Sequence, residues 1–287
     1  MPPIVDYLLK AGICELPELY TQEEIAAMNA AMDPLLTSRL QEKRAYVHPD
    51  EMLDLGVFKM VFSERMMNVL FSIMPDPVLY HCHVYEIAAN NTSSHIFAET
   101  LKGWHRDPDS SYVDGDPTHV SLFVYLRDVG AEDGAFEFVP NVPRTKWLHN
   151  GTPYISVRGP KGYSFAWHRN YYHRASPNRG PVRRRLVKLS VQSNEYPSHH
   201  LSNEHFSKVI AQTPAGDPRM DLLLGRYQGK KAPQLEPLPW PEVGPIATNS
   251  ELHLSSVELT KAQLLEKANH LKDSLRNKKE QVVAAYD

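Results

Sequence analysis

A change of period near residue 78 limits the fold of this chain more than any other feature. Before it, apolar residues recur at helical spacing. Ile25, Met28, Met32, Leu35 and Leu36 follow Thr21-Gln22-Glu23-Glu24, which has the form of a capping box. Residues 64–73 read as a second amphipathic helix, stopped by Pro75-Asp76-Pro77. After it, short β-rich runs alternate with turn residues. The candidate strands are 78–87, 119–127, 136–139, 154–158, 163–167 and 183–192. Turn signals such as Asp114-Gly115-Asp116-Pro117, Glu132-Asp133-Gly134 and Pro177-Asn178-Arg179-Gly180 separate them. Regular short strands with a helical prefix predict a mainly β chain with flanking helices, built as a sandwich or barrel.

Composition narrows the function. In 287 residues the net charge is −3, with 42% hydrophobic and 23% charged residues. That argues against a disordered chain, and against nucleic acid or an anionic membrane as main partner. No run of about 18 apolar residues offers a membrane span. Two cysteines, Cys14 and Cys82, are too few for a disulfide framework, and the N-terminus lacks the pattern of a secretory signal. The expectation is a cytoplasmic protein with reduced thiols. Three regions are expected: a β-rich domain with its N-terminal helices over 1–230, a Pro-rich strap over 231–245, and a C-terminal amphipathic helix over 246–287. That last helix packs on its own domain or pairs with a second copy of the chain in a homodimer.

Chemistry is concentrated at Trp104-His105-Arg106-Asp107. On a strand, residues two apart share a face, so His105 and Asp107 can ligate one metal ion. A second histidine from a distant strand would complete a two-His-one-carboxylate set, which favours Fe(II) and leaves three positions open. With 14 His and 34 acidic residues, chance alone supplies roughly two His-x-acid pairs. His48-Pro49-Asp50 is such a decoy, since Pro49 disfavours a central strand. His81-Cys82-His83 is read as two polar residues on one strand face. His173 is the distant candidate. A turn follows it and then Arg183-Arg184-Arg185, any of which could hold a carboxylate through a planar fork. Alternation puts Arg184 with Leu186, Lys188, Ser190 and Gln192, and Arg183 and Arg185 with Val187, Leu189 and Val191. It does not choose between the two faces.

Three segments together resemble the phytanoyl-CoA dioxygenase family of Fe(II)/2-oxoglutarate-dependent oxygenases. They are Gly103 through Asp107, Asp133 through Pro140, and His173 through Arg184. The likeness covers roughly residues 6–195. It implies a double-stranded β-helix, a jelly roll of the cupin type. It implies that His105, Asp107 and His173 are the catalytic metal ligands for Fe(II), and that Arg184 holds the far carboxylate of 2-oxoglutarate. Phe123 and Tyr85 are expected beside that cosubstrate. Ala175 stands where relatives often carry a serine that bonds the same carboxylate, so Ser121 or Tyr85 would have to help. Asn141-Val142-Pro143-Arg144 also departs from the family pattern, at the cavity rim.

The implied reaction uses O2 and 2-oxoglutarate, releases succinate and CO2, and oxidises an unactivated C–H bond of a small-molecule substrate. Halogenases of similar fold usually replace the ligand carboxylate with a small residue, so Asp107 argues for hydroxylation or a related two-electron oxidation. Desaturation, epoxidation, cyclisation and epimerisation would share the iron site. The reading from another class is a binding protein with a jelly roll and no productive metal. His81, His83, Tyr85, Trp104 and Tyr112 are expected to edge the cavity and to suit a medium-sized, partly polar metabolite.

Overall fold

The computed structural model describes residues 2–91, 103–107, 118–140, 148, 151–195, 204–227, 229–236, 238–239, 241–246 and 252–254. The first half is largely helical: α1 (Pro3–Lys10), β1 (Ile13–Glu15), α2 (Gln22–Ser38), β2 (Arg44–Val47), α3 (Pro49–Asp54), α4 (Val57–Val61) and α5 (Glu64–Ile73). Strands follow: β3 (Pro77–Ile87), β4 (His119–Tyr125), β5 (Phe136–Phe138), β6 (Pro153–Val157), β7 (Ser164–His168), β8 (His173–Ala175) and β9 (Arg184–Ser193). The chain continues through α6 (Glu204–Gln212), α7 (Pro218–Leu223) and β10 (Leu252–Leu254).

The strands form two antiparallel sheets. One has six strands in the order β1-β7-β4-β9-β3-β2, the other four in the order β10-β6-β5-β8. This is the jelly-roll arrangement that the resemblance implies. Alternation explains how the large sheet is filled. Val120, Leu122 and Val124 of β4, with Val187, Leu189 and Val191 of β9, join the core beneath the helices. The alternate residues Phe123, Tyr125 and Leu186 join Phe136, Phe138, Phe165 and Trp167 in the core between the sheets. Burial on both faces is why β4 reads as a nearly continuous apolar run, and each such side chain contributes about 1.5–3 kcal/mol.

The helices begin where their caps place them. The Thr21 amide donates to Glu24 Oε2 at 2.7 Å, and the Glu24 amide donates to Thr21 Oγ1 at 3.2 Å. In α5, Ser63 Oγ accepts from the Met66 amide. His48, the decoy, directly precedes α3, with Pro49 as the first residue of that helix.

A charge network locks α2 onto the sheet. Glu86 of β3 is 1% exposed. It accepts from Arg185 Nε at 2.7 Å and from Arg183 Nε. Arg185 also donates to Asp33 and Asn29 of α2, at 2.7 and 2.8 Å. Beyond α7, Gly244 bridges Glu15. Leu252–Leu254, expected within a tail helix, instead pairs with β6 as an edge strand. The expected helix over 256–285 lies outside the described residues.

Candidate metal and cosubstrate site

The three expected ligands converge. The ligand atoms of His105, Asp107 and His173 lie within 4.8 Å of one another. The two histidines come together through the backbone. His105 N donates to His173 O at 3.1 Å, and His173 N donates to His105 O at 2.9 Å. The pairing is a single antiparallel bridge and not the strand that alternation predicts around His105.

Each imidazole is oriented by a carbonyl. Nδ1–H of His105 donates to Gly103 O at 2.8 Å, and Nδ1–H of His173 donates to Tyr171 O at 3.0 Å. Both rings are thereby fixed as the tautomer that offers Nε2 to a metal. His173 Nε2 lies 3.6 Å from Asp107 Oδ2. Two imidazole nitrogens and one carboxylate turned to one point fit ferrous iron. Burial pushes the His173 imidazole down to about 3, against the pull of Asp107. Burial alone would raise the Asp107 carboxyl, but His173 and Arg169 hold it well below the usual carboxylate range. With His173 neutral at neutral pH, Arg169 is the lasting charge beside the carboxylate.

Sequence reasoning missed Arg169. It is 2% exposed, and its Nη2 lies 3.0 Å from Asp107 Oδ2. Nη1 donates to Ser190 Oγ at 3.2 Å and Ser121 Oγ at 3.3 Å. Those hydroxyls are 2.7 Å apart on β9 and β4. Arg169 follows β7 directly, and no local spacing signals a partner so far back in the chain. Ser121, one of two expected helpers for the cosubstrate carboxylate, therefore belongs to the Arg169 cluster.

The other helper, Tyr85, meets Arg184. Arg184 is 1% exposed, and its Nη2 donates to Tyr85 Oη at 3.0 Å while Nη1 donates to Gly134 O. Gly134 has φ +72°, and a Cβ there would sit 3.1 Å from the Ser176 carbonyl, so this turn needs glycine. Arg184 Nε is buried without a hydrogen-bond partner, and no carboxylate among the described residues pairs with Arg184.

A cavity of about 150 Å³ connects these groups, lined by the triad with Tyr85, Phe123, Phe136, Trp167, Ala175 and Lys188 among others. Arg184 does not line it; its guanidinium lies over the Tyr85 ring, 5.4 Å from the centroid. The rings of Trp167 and Phe136 flank His173 at 4.2 and 5.7 Å. Lys188 shares the Arg184 face, as alternation predicts, and was not singled out from sequence. Trp104, expected at the cavity edge, is instead 1% exposed in a small core with Val139, Leu148 and Tyr172. Its bulk is covered on one side by Arg174, 4.6 Å above the ring. Tyr112 lies outside the described residues, as do Asn141 through Arg144.

No curated protein matches the chain in sequence. Solved structures share its fold. AviO1 from Streptomyces viridochromogenes Tue57 superposes with a TM-score of 0.54 at 16% identity, over 68% of this chain and 95% of that one. EvdO2 from Micromonospora carbonacea var. aurantiaca, complexed with 2-oxoglutarate, gives 0.51 at 13% identity over 66% and 89%. EctD from S. alaskensis, with 2-oxoglutarate and 5-hydroxyectoine, gives 0.51 at 15% identity over 67% and 75%. The family model for phytanoyl-CoA dioxygenase (PhyH) matches residues 8–186, more than half of the chain. The chain therefore belongs to the phytanoyl-CoA dioxygenase family and is an Fe(II)/2-oxoglutarate-dependent oxygenase.

Proposed function

We propose that this enzyme hydroxylates a C–H bond of a small-molecule metabolite, with His105, Asp107 and His173 holding iron and with Arg184 and Tyr85 securing the far carboxylate of 2-oxoglutarate. The observation that carries the cosubstrate assignment is Arg184, a buried guanidinium without a carboxylate partner among the described residues. A buried charge left so is costly, and a dicarboxylate ligand would offset it. When bound, Fe(II), 2-oxoglutarate and O2 supply the oxidising chemistry: one oxygen atom goes to the substrate, the other to succinate, and CO2 leaves.

The chain's own groups prepare the site for that chemistry. Tyr85 lines the cavity, and burial raises its phenol although Arg184 opposes the shift. It therefore stays protonated and can donate to a carboxylate while accepting from Arg184. Ala175 withholds the hydroxyl that relatives often place there, which leaves Tyr85 as the hydroxyl donor beside Arg184. Phe123, Phe136 and Trp167 keep water from the inner cavity. Arg169 holds one Asp107 oxygen and so orients the carboxylate. Lys188 adds positive charge near Asp107.

Thermal melting tests the reading. Fe(II) and 2-oxoglutarate, each near 100 times its Kd, should together raise Tm by about 5–10 °C. Asp107→Ala should abolish the iron-dependent part while leaving the circular dichroism of the folded chain intact. An unchanged iron content in Asp107→Ala would refute the ligand assignment. Succinate release across a metabolite panel would then identify the substrate.

A further inference from the structure

Next to the iron cavity lies a second chamber of about 300 Å³, walled by Tyr46, His48, His81, His83, His205 and Phe206. Tyr46 and His83 line both spaces. Three elements bring these rings together. Tyr46 comes from β2, and His81 and His83 share one face of β3. His205 and Phe206 come from α6, after the last strand of the large sheet and beyond the part of the chain shared with the family.

The rings are ordered. His48 and His205 lie face to face, with centroids 4.0 Å apart and planes 2° from parallel. Tyr46 continues the stack at 5.9 Å from His48, tilted by 17°. His83 meets Tyr46 edge-on at 5.5 Å. His205 is held in place by Asp50 Oδ1, 2.9 Å from its Nδ1. Among the described residues, the lining contains no Lys, Arg, Asp or Glu.

We infer that this chamber is the substrate's own subsite, and that it takes a flat, conjugated ring bearing hydroxyl or carbonyl groups. The inference rests on the oxygenase reading above and deepens it. A wall of parallel rings favours a planar π-system over a puckered ring of equal size. Imidazoles add donors and acceptors around its edge. Burial, with His205, keeps His48 below its ordinary value, and burial, with Lys188, holds His83 well below it. Both rings therefore favour the neutral form. A ring seated here would lie on the far side of Tyr46 and His83 from the triad, against two residues that also line the iron cavity.

Equilibrium binding of 2-naphthol, followed by its fluorescence, tests this against decahydro-2-naphthol, which has the same carbon skeleton without planarity. The expected result is roughly tenfold tighter binding of 2-naphthol. His205→Ala and Tyr46→Leu should each weaken 2-naphthol at least about threefold. His105→Ala should lose iron and keep 2-naphthol affinity, because the chamber does not use the metal ligands. Equal binding of the saturated alcohol would overturn the inference. So would indifference to both His205→Ala and Tyr46→Leu, or loss of 2-naphthol binding in His105→Ala. Iron titration of the same samples separates the two readings. A chain that loads iron and ignores 2-naphthol refutes the subsite alone. One that binds 2-naphthol and never loads iron refutes the oxygenase site alone.

Discussion

The two faces of β9 carry the same residue type to opposite ends. On the helix side, Arg185 is 2% exposed and satisfied by Glu86, Asp33 and Asn29. On the cavity side, Arg184 is equally buried and meets one carbonyl and one phenol. The outer arginine is a fastening, complete in the folded chain. The inner one has no carboxylate partner among the described residues, and under the proposed function it receives the cosubstrate's far carboxylate. Burial is thus no guide to role, and the partner list is.

The contrast can be broken from either side. The largest effect is expected from Glu86→Ala, which strips Arg183 and Arg185 of their shared buried carboxylate, leaves Arg185 only the half-exposed Asp33, and should cost about 3–5 kcal/mol in urea unfolding. The 2-oxoglutarate requirement of the remaining folded enzyme should not move. Next is Arg184→Ala. It should raise the half-saturating 2-oxoglutarate concentration by roughly 30-fold or more, about 2 kcal/mol, with little loss of Tm. Arg183→Ala, which removes a second Glu86 contact, should lower Tm slightly and leave that concentration alone. If Arg183→Ala and Arg184→Ala behave alike in 2-oxoglutarate titrations, the division between the faces is wrong.

Arg169 tests a third position, neither fastening nor receptor. Arg169→Gln should weaken Fe(II) roughly 10- to 100-fold, read as Co(II) absorption competed by Fe(II), because Asp107 loses its orienting partner. Wild-type metal affinity would make Arg169 a purely structural ion pair.

The remaining effect is confined to acid. Burial, with His119 adding to it, pushes His168 down to about 4 from 6.5. The unfolded chain therefore takes up a proton near pH 6.5 that the folded chain refuses. Its contribution is present above about pH 6.5 and lost as pH falls toward 4. The apoprotein should lose up to about 1.4 kcal/mol per pH unit across that window from this group, and His168→Gln should flatten the slope by that amount.

Sequence shows some of this plainly and some not at all. Residues 64–73 match α5 because helical period, Ser63 and Pro75 all agree. The paired faces of β9 follow from alternation, but which face looks inward is settled only by α2 packing on one side. β2 and β8, of four and three residues, are too short to show a period. Trp104 looks like a rim residue because it adjoins His105, yet neighbours in an irregular segment need not share a side. Arg169 and His205 are invisible for a common reason. Each acquires its role from a partner distant in sequence, Asp107 for one and His48 with Asp50 for the other.

The bridge between His105 and His173 has one more consequence. The spacing of those imidazoles is copied from the pitch of a hydrogen-bonded backbone pair, which any side chains can form. Mutations that drift through the helices, the edges or the outer walls leave that gauge untouched. A pair of side chains spaced by the main chain can keep its separation through the erosion of nearly everything around it.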